Sequence, residues 1–255
     1  MRRIAAIALH TVREAARERI ALVAVLFGAG LVSASYVLSP LALGEGRKVV
    51  TDFGLAGASL LATILAITLG SNLLSKELDR RTIYAVLSKP IRRFEFLLGK
   101  FAGLWIASGL LLAGMTAMVL ALLLAFYGGI PWVALGSLAL SIVELGIVTS
   151  FVVLFSSFST PGLTALFTAA VLVAGQFSED ILYFGSQKAA PALSAVTSVV
   201  YWLLPHLTVF NARGLVTHGI AVPPERLLYG FAYGLLYCGA ILTIAATVFE
   251  RREFR

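Results

Sequence analysis

The chain has 255 residues, 59% of them hydrophobic and only 13% charged, and its mean hydropathy is +0.94. Soluble domains carry roughly 25% charged residues, so a water-soluble globule is excluded and a polytopic membrane protein is implied. The formal charge of +7 and pI near 9.8 do not point to nucleic acid, because no basic stripe interleaved with stacking aromatics lies on a polar surface.

In chain order, "MRRIAAIALHTVREAARERI" comes first. It sets Ile4, Ala8, Thr11, Val12 and Ala15 on one helical face, and Arg3, His10, Arg13 and Arg17 on the opposite one. A basic amphipathic helix over 1–19 is expected to lie in the membrane interface, its arginines toward anionic headgroups. The run lacks the form of a secretory signal, since His10, Arg13 and Arg17 break its apolar stretch. Over 20–255 the apolar runs predict six spans: Ile20–Leu43, Phe53–Leu74, Phe96–Tyr127, Trp132–Phe155, Gly162–Phe177 and Leu227–Phe249. They must be helices, because hydrocarbon offers backbone N–H and C=O groups no partners. An all-α bundle follows.

Basic residues set the expected orientation. Fifteen lie on one side of these spans: Arg2, Arg3, Arg13, Arg17 and Arg19; Lys76, Arg80, Arg81, Lys89, Arg92, Arg93 and Lys100; and Arg251, Arg252 and Arg255. Only Arg47, Lys48, Lys188, Arg213 and Arg226 lie on the other. The positive-inside rule then puts both termini and the segment after span two in the cytoplasm.

That segment, "LSKELDRRTIYAVLSKPIRRFEFLLGK", is unlike the rest. It holds ten of the thirty-three charged residues between Lys76 and Lys100. From Ser75 to Leu87 the apolar Leu78, Ile83, Val86 and Leu87 recur at helical spacing. Ser88-Lys89-Pro90 ends the helix, since the residue before proline resists the α conformation, and proline suits the start of the next one. A short helix, a turn and re-entry are expected over 75–95. Stopping translocation needs only a few arginines; mixed charge and an apolar stripe point further, to a docking element.

In span four, Glu144 of "LSIVELGIVTS" would sit near mid-membrane, where a carboxylate costs about 2.5–3.5 kcal/mol. It is either a pathway residue or a structural carboxyl bonded to a neighbour such as Ser141 or Thr149. "SSFSTPG", Ser156–Gly162, is a second turn on the side of the termini. The segment 178–226 on the other side is not a polar loop. In "APALSAVTSVVYWLLPHL" Leu193, Val196, Val199, Val200 and Leu203 share a stripe that Pro205 ends, so half-depth or interfacial helices are expected. Tyr201 and Trp202 suit the headgroup boundary. The single cysteine, Cys238, permits no internal disulfide, and His10, His206 and His218 form no ligand set, so no metal site is expected. Gly28, Gly30, Gly54 and Gly57 have the spacing of close helix contacts.

"SKELDRRTIYAVLSKPIRRFEFLLGKFAG" resembles the segment between spans two and three of ABC-2-type transporter permeases. In that family an acidic residue precedes a Thr-led helix, a Leu-Ser-x-Pro turn, an arginine and a Leu-Gly-Lys that opens span three. Glu77, Thr82, Leu87, Ser88, Pro90, Arg93, Leu98, Gly99 and Lys100 occupy those positions, and Arg81 replaces the usual glycine. The amphipathic start, the six spans, "YWLLPHLTVFNAR" and the terminal "FERREF" extend the likeness over nearly the whole chain, with His206 in place of a common asparagine. It is closest to bacterial permeases labelled as involved in multi-copper enzyme maturation.

The resemblance implies a membrane subunit of an ATP-driven exporter in the bacterial inner membrane, paired with a second permease copy, as a homodimer or heterodimer, and surrounded by membrane lipids. Two copies of a separate ABC ATPase would bind ATP and Mg; this chain would bind no cofactor and catalyse nothing itself. The residues Glu77, Asp79, Arg80, Arg81, Thr82, Leu87, Ser88, Pro90 and Arg93 would form the coupling element seated on that ATPase. In agreement, no G-x-x-x-x-G-K-[ST] loop is present: Gly99-Lys100 lacks the earlier glycine. Two rivals read less well. An intramembrane enzyme lacks H-E-x-x-H and G-x-S-x-G, and an ATP-independent carrier or channel lacks inverted repeats with broken spans. The outward helices and absence of charged rings lean toward an amphipathic or lipid-like cargo.

Overall fold

The computed structural model describes residues 2–38, 44–79, 93–129, 132–181, 183 and 191–251. Their main α-helices are α1 (Arg2–Arg17), α2 (Arg19–Leu38), α3 (Gly46–Asp79), α4 (Arg93–Tyr127), α5 (Ala134–Ser156), α6 (Pro161–Gln176), α7 (Pro191–Leu203), α8 (Arg213–Thr217) and α9 (Pro224–Arg251). A 3-10 turn, Leu207–Phe210, lies between α7 and α8. No strand occurs among the described residues.

Four helical stretches are long and apolar enough to cross a membrane: Gly46–Asn72, Phe94–Tyr127, Ala134–Ser156 and Pro224–Glu250. Two shorter apolar stretches, Leu22–Ala34 in α2 and all of α6, take the places expected for the first and fifth spans. The 16 residues of α6 reach about 24 Å at 1.5 Å per residue, less than the ~30 Å hydrocarbon core. The chain is therefore an all-α polytopic membrane protein, with α6 shorter than the spans of α3, α4, α5 and α9.

Helix ends follow local chemistry. Gly128, at φ +69°, follows the last residue of α4, and its N–H donates to the Leu124 carbonyl at 3.2 Å, a left-handed stop that a side chain would oppose. Pro161 opens α6, where its missing N–H costs nothing.

Both boundaries of span two move: α3 begins at Gly46, ahead of the expected Phe53, and ends later as well. The helix of span two does not end at Leu74; α3 runs unbroken to Asp79. Nothing in "LSKELD" breaks a helix, and Leu, Lys and Glu are good helix formers. The 34 residues of α3 and 35 of α4 make rods of about 51 and 53 Å, both longer than the hydrocarbon core. The apolar stretch of α3 ends at Asn72, so its last turns, through Asp79, lie beyond that stretch.

The core is layered along the bundle. At the end holding the starts of α1 and α4 and the finish of α9, Ala15, Leu69, Leu97, Val153, Ala245 and Phe249 are buried together. There the Phe96 and Phe249 rings stack at 6.5 Å. The middle layer joins Ala62, Ala66, Leu112, Leu145 and Val148. The opposite end gathers Leu140, Val143, Leu207, Phe210 and Val222, which fix the segment between α6 and α9.

The amphipathic face of α1 is covered by protein. Ala8, Thr11 and Ala15 are buried, and α1 lies along the first turns of α4. Gly99 and Gly103 make this approach feasible. A Cβ on Gly103 would stand 2.8 Å from the Ala8 carbonyl, and one on Gly99 would stand 2.7 Å from Ile7. Of the four glycines expected at helix contacts, Gly28 and Gly54 fit: a Cβ on Gly28 would run into Met115, and one on Gly54 would stand 2.7 Å from Val119; Gly30 faces open space.

Candidate functional site

Two regions concentrate polar chemistry. The first is the end bearing the charged interlude. Glu77 and Asp79 fall in the last turn of α3, and Arg93 opens α4. Arg80, Arg81, Thr82, Leu87, Ser88 and Pro90 lie outside the described residues. Behind the interlude, Lys100 of the Leu-Gly-Lys run has a side chain only 2% exposed, and its Nζ lies 3.6 Å from Glu14 Oε2 of α1. Lys100 also stands 6.0 Å from the Phe96 ring centroid. The two glycines and this ion pair bind α1 to the stem of the interlude. The turn between α5 and α6 reaches the same end. Ser157 Oγ donates to the Leu154 carbonyl at 2.6 Å, and the Ser159 N–H to the Phe155 carbonyl at 2.9 Å.

The second region is a cavity of about 770 Å³ bounded by α2, α3, α5, α6 and α8, a volume typical of ligand sites. Its walls are largely apolar: Leu31, Phe53, Leu60, Ile64, Ile67 and Leu172. Glu144, Gln176 and Arg213 supply the polar part. Gln176 Nε2, from the last turn of α6, donates to Glu144 Oε1 at 3.0 Å. The partner of Glu144 is thus neither Ser141 nor Thr149; Thr149 Oγ1 donates to the Leu145 and Gly146 carbonyls of its own helix. A cavity of about 620 Å³ between α1, α2, α3 and α4 has similar size but only apolar residues such as Val12, Leu22, Leu65 and Leu110. Volume does not separate the two. Convergent polar groups do.

The segment between α6 and α9, which supplies Arg213 to the cavity, is tied down by its own hydrogen bonds. Arg226, at the start of α9, donates from Nε to the Val209 carbonyl at 3.1 Å and from Nη2 to the Thr208 and Asn211 carbonyls at 3.2 and 3.1 Å. Thr208 Oγ1 donates to Glu179 at 2.7 Å, and Tyr237 Oη to the Leu203 carbonyl at 3.1 Å. The His206 N–H donates to Tyr233 Oη at 3.0 Å while its ring meets Tyr201 at 4.2 Å. Burial lowers the His206 pKa from the usual 6.5, and the Glu179 charge opposes that shift. Trp105 Nε1 of α4 donates to the Ile142 carbonyl at 2.7 Å, two residues before Glu144 in α5.

Sequence reasoning found Glu144 and missed Gln176 and Arg213. Gln176 had a signal, being a lone amide after the apolar run of α6. Arg213 had little, because its place beside Glu144 depends on how α8 folds back over α3 and α5.

Long apolar helices with a polar-walled cavity between them suit the membrane subunit of a transporter. The chain belongs to the ABC-2 family transporter proteins, whose family model matches residues 5–254. No curated protein matches the chain. The match reaches the family alone and gives no support to a tie with multi-copper enzyme maturation.

Proposed function

We propose that this chain is the non-catalytic permease of an exporter, working as a dimer with two copies of a separate ATPase that binds ATP and Mg. Both termini face the cytoplasm of a bacterial inner membrane, with α1 at its interface. Residues 75–95 seat on the ATPase. The observation that carries this reading is the pair of over-long helices, α3 and α4, which present Glu77, Asp79 and Arg93 beyond the apolar layer. A rigid helix transmits displacement along its length, and α1, clamped to α4 by Lys100 and Glu14, moves with it.

Closure of the ATPases on nucleotide would tilt these rods and change the cavity around Glu144. Such a shift needs nucleotide to favour one bundle arrangement over the other. In vesicles holding the chain with its co-purifying ATPase, Glu77→Ala and Leu87→Ala should leave both proteins folded and ATP hydrolysis measurable, and cut transport per ATP by about tenfold. Unchanged coupling in both variants would refute the assignment. If Glu144 lines the pathway, Glu144→Ala should slow transport at unchanged protein level; normal transport by both Glu144→Ala and Glu144→Gln would remove it from the path.

A further inference from the structure

The polar-walled cavity has a shape and an opening that restrict what it takes. On α3 its lining residues Phe53, Leu60, Ile64 and Ile67 follow one stripe, and the fourteen-residue interval spans about 21 Å at 1.5 Å per residue. Phe53, Leu60, Ile64 and Val173 are exposed by 62, 57, 47 and 59%, so the mouth opens on the apolar perimeter of the bundle. An occupant entering there comes from the bilayer and carries a hydrocarbon chain.

The polar wall restricts the head. Gln176 engages one Glu144 oxygen, and no described residue donates to the other. Arg213 uses its Nε on Asn211 Oδ1 at 3.2 Å, and a guanidinium has further donors to give. One wall therefore offers a carboxylate with an amide and, beside them, a guanidinium. A head of single charge answers one of these groups and leaves the other without a counter-charge from the ligand. A head holding both a cation and an anion answers both with charge-assisted contacts.

We propose that this cavity binds a single-chain zwitterionic amphiphile from the bilayer, its cationic group on Glu144 and Gln176, its anionic group on Arg213 and its chain along α3. This deepens, and rests on, the reading of the chain as a permease whose cargo passes Glu144.

The test uses the purified full chain in maltoside micelles without nucleotide or ATPase, with native mass spectrometry scoring retained ligand. Three probes share one chain length: hexadecylphosphocholine, hexadecyltrimethylammonium and hexadecyl sulfate. The phosphocholine should be retained at least tenfold better than either singly charged probe. Glu144→Gln and Arg213→Gln should each reduce that retention about tenfold, and Leu60→Trp, which fills the mouth, should reduce all binding. Equal retention of the three heads, or wild-type retention by both head-group variants, would overturn the proposal. So would failure of every probe together with maleimide cross-linking of two copies through Leu60→Cys in a Cys238→Ser background, which would give the face to a second copy. Because no ATPase is present, these failures leave the ATP-driven reading standing, and transport without ATP would sink that reading while leaving the binding result intact.

Discussion

The two ends of the bundle are built on different principles. At the interlude end, contact is close and dry: α1 lies against Gly99 and Gly103, and a nearly sealed Lys100 pairs with Glu14. At the other end, short elements are pinned by Arg226, Thr208 and Tyr237 hydrogen bonds around a space that protein does not fill. The contrast fits the two mechanical tasks of the proposed permease, a stiff end where an ATPase would push and an open volume where cargo would sit. On that proposal, force entering at α3 and α4 would reach the cavity because α3 itself forms one of its walls.

Substitutions that soften the stiff end should cost most. Lys100→Met strands Glu14 against a protein surface; breaking a fully buried pair costs about 3–5 kcal/mol. Glu14 is one-third exposed, so the loss should fall to about 2–3 kcal/mol, read as a lowered thermal midpoint in detergent. Adding Glu14→Gln should recover part of it, since partners in contact couple. An unchanged midpoint for Lys100→Met would mean that the ion pair does not fasten α1. Gly103→Val comes next. Its branched side chain meets the Ala8 carbonyl and Thr11, and overpacking of this kind costs about 1–3 kcal/mol. Increased proteolysis near Arg13 should accompany it. Full protection there would contradict the close approach.

The cavity end should show the smallest effect, and its sign is set by pH. The folded pKa of His206 is below 6.5, so the folded state binds fewer protons than the unfolded one in that window. Its stabilising contribution is complete above about pH 6.5 and declines as pH falls through the lowered value. A His206→Phe variant should therefore lose less stability than the parent as pH falls from 7 to 5. Parallel pH profiles would show that His206 does not titrate against its Tyr201 and Tyr233 surroundings.

The lever was far more legible in the sequence than the chamber, and the reason is range. Apolar runs mark helices locally, so the ends of α4, α5, α6 and α9 fall within a few residues of expectation. Helix α3 outruns its expected span at both ends, with no breaker before Asp79, and the expected end of span one at Leu43 lies outside the described residues. Glu144 stood out as a carboxylate in an apolar run. The α1 stripe was visible too, yet its partner was not, because Gly99 and Gly103 lie some ninety residues away and their smallness acquires meaning only against α1. The same holds for Gln176 and Arg213, which approach Glu144 through the return of α6 and α8. Composition predicts what enters the membrane; which polar groups then share a chamber depends on helix packing.

The most direct test of the account is a photoreactive side chain placed at Leu87 in the full-length protein in native membranes. Irradiation should join the chain to a Walker-motif ATPase identified by mass spectrometry, and an impermeant maleimide at Ser88→Cys should label inverted vesicles but not intact cells. Labelling from the cell exterior, with no ATPase captured from position 87, would contradict it.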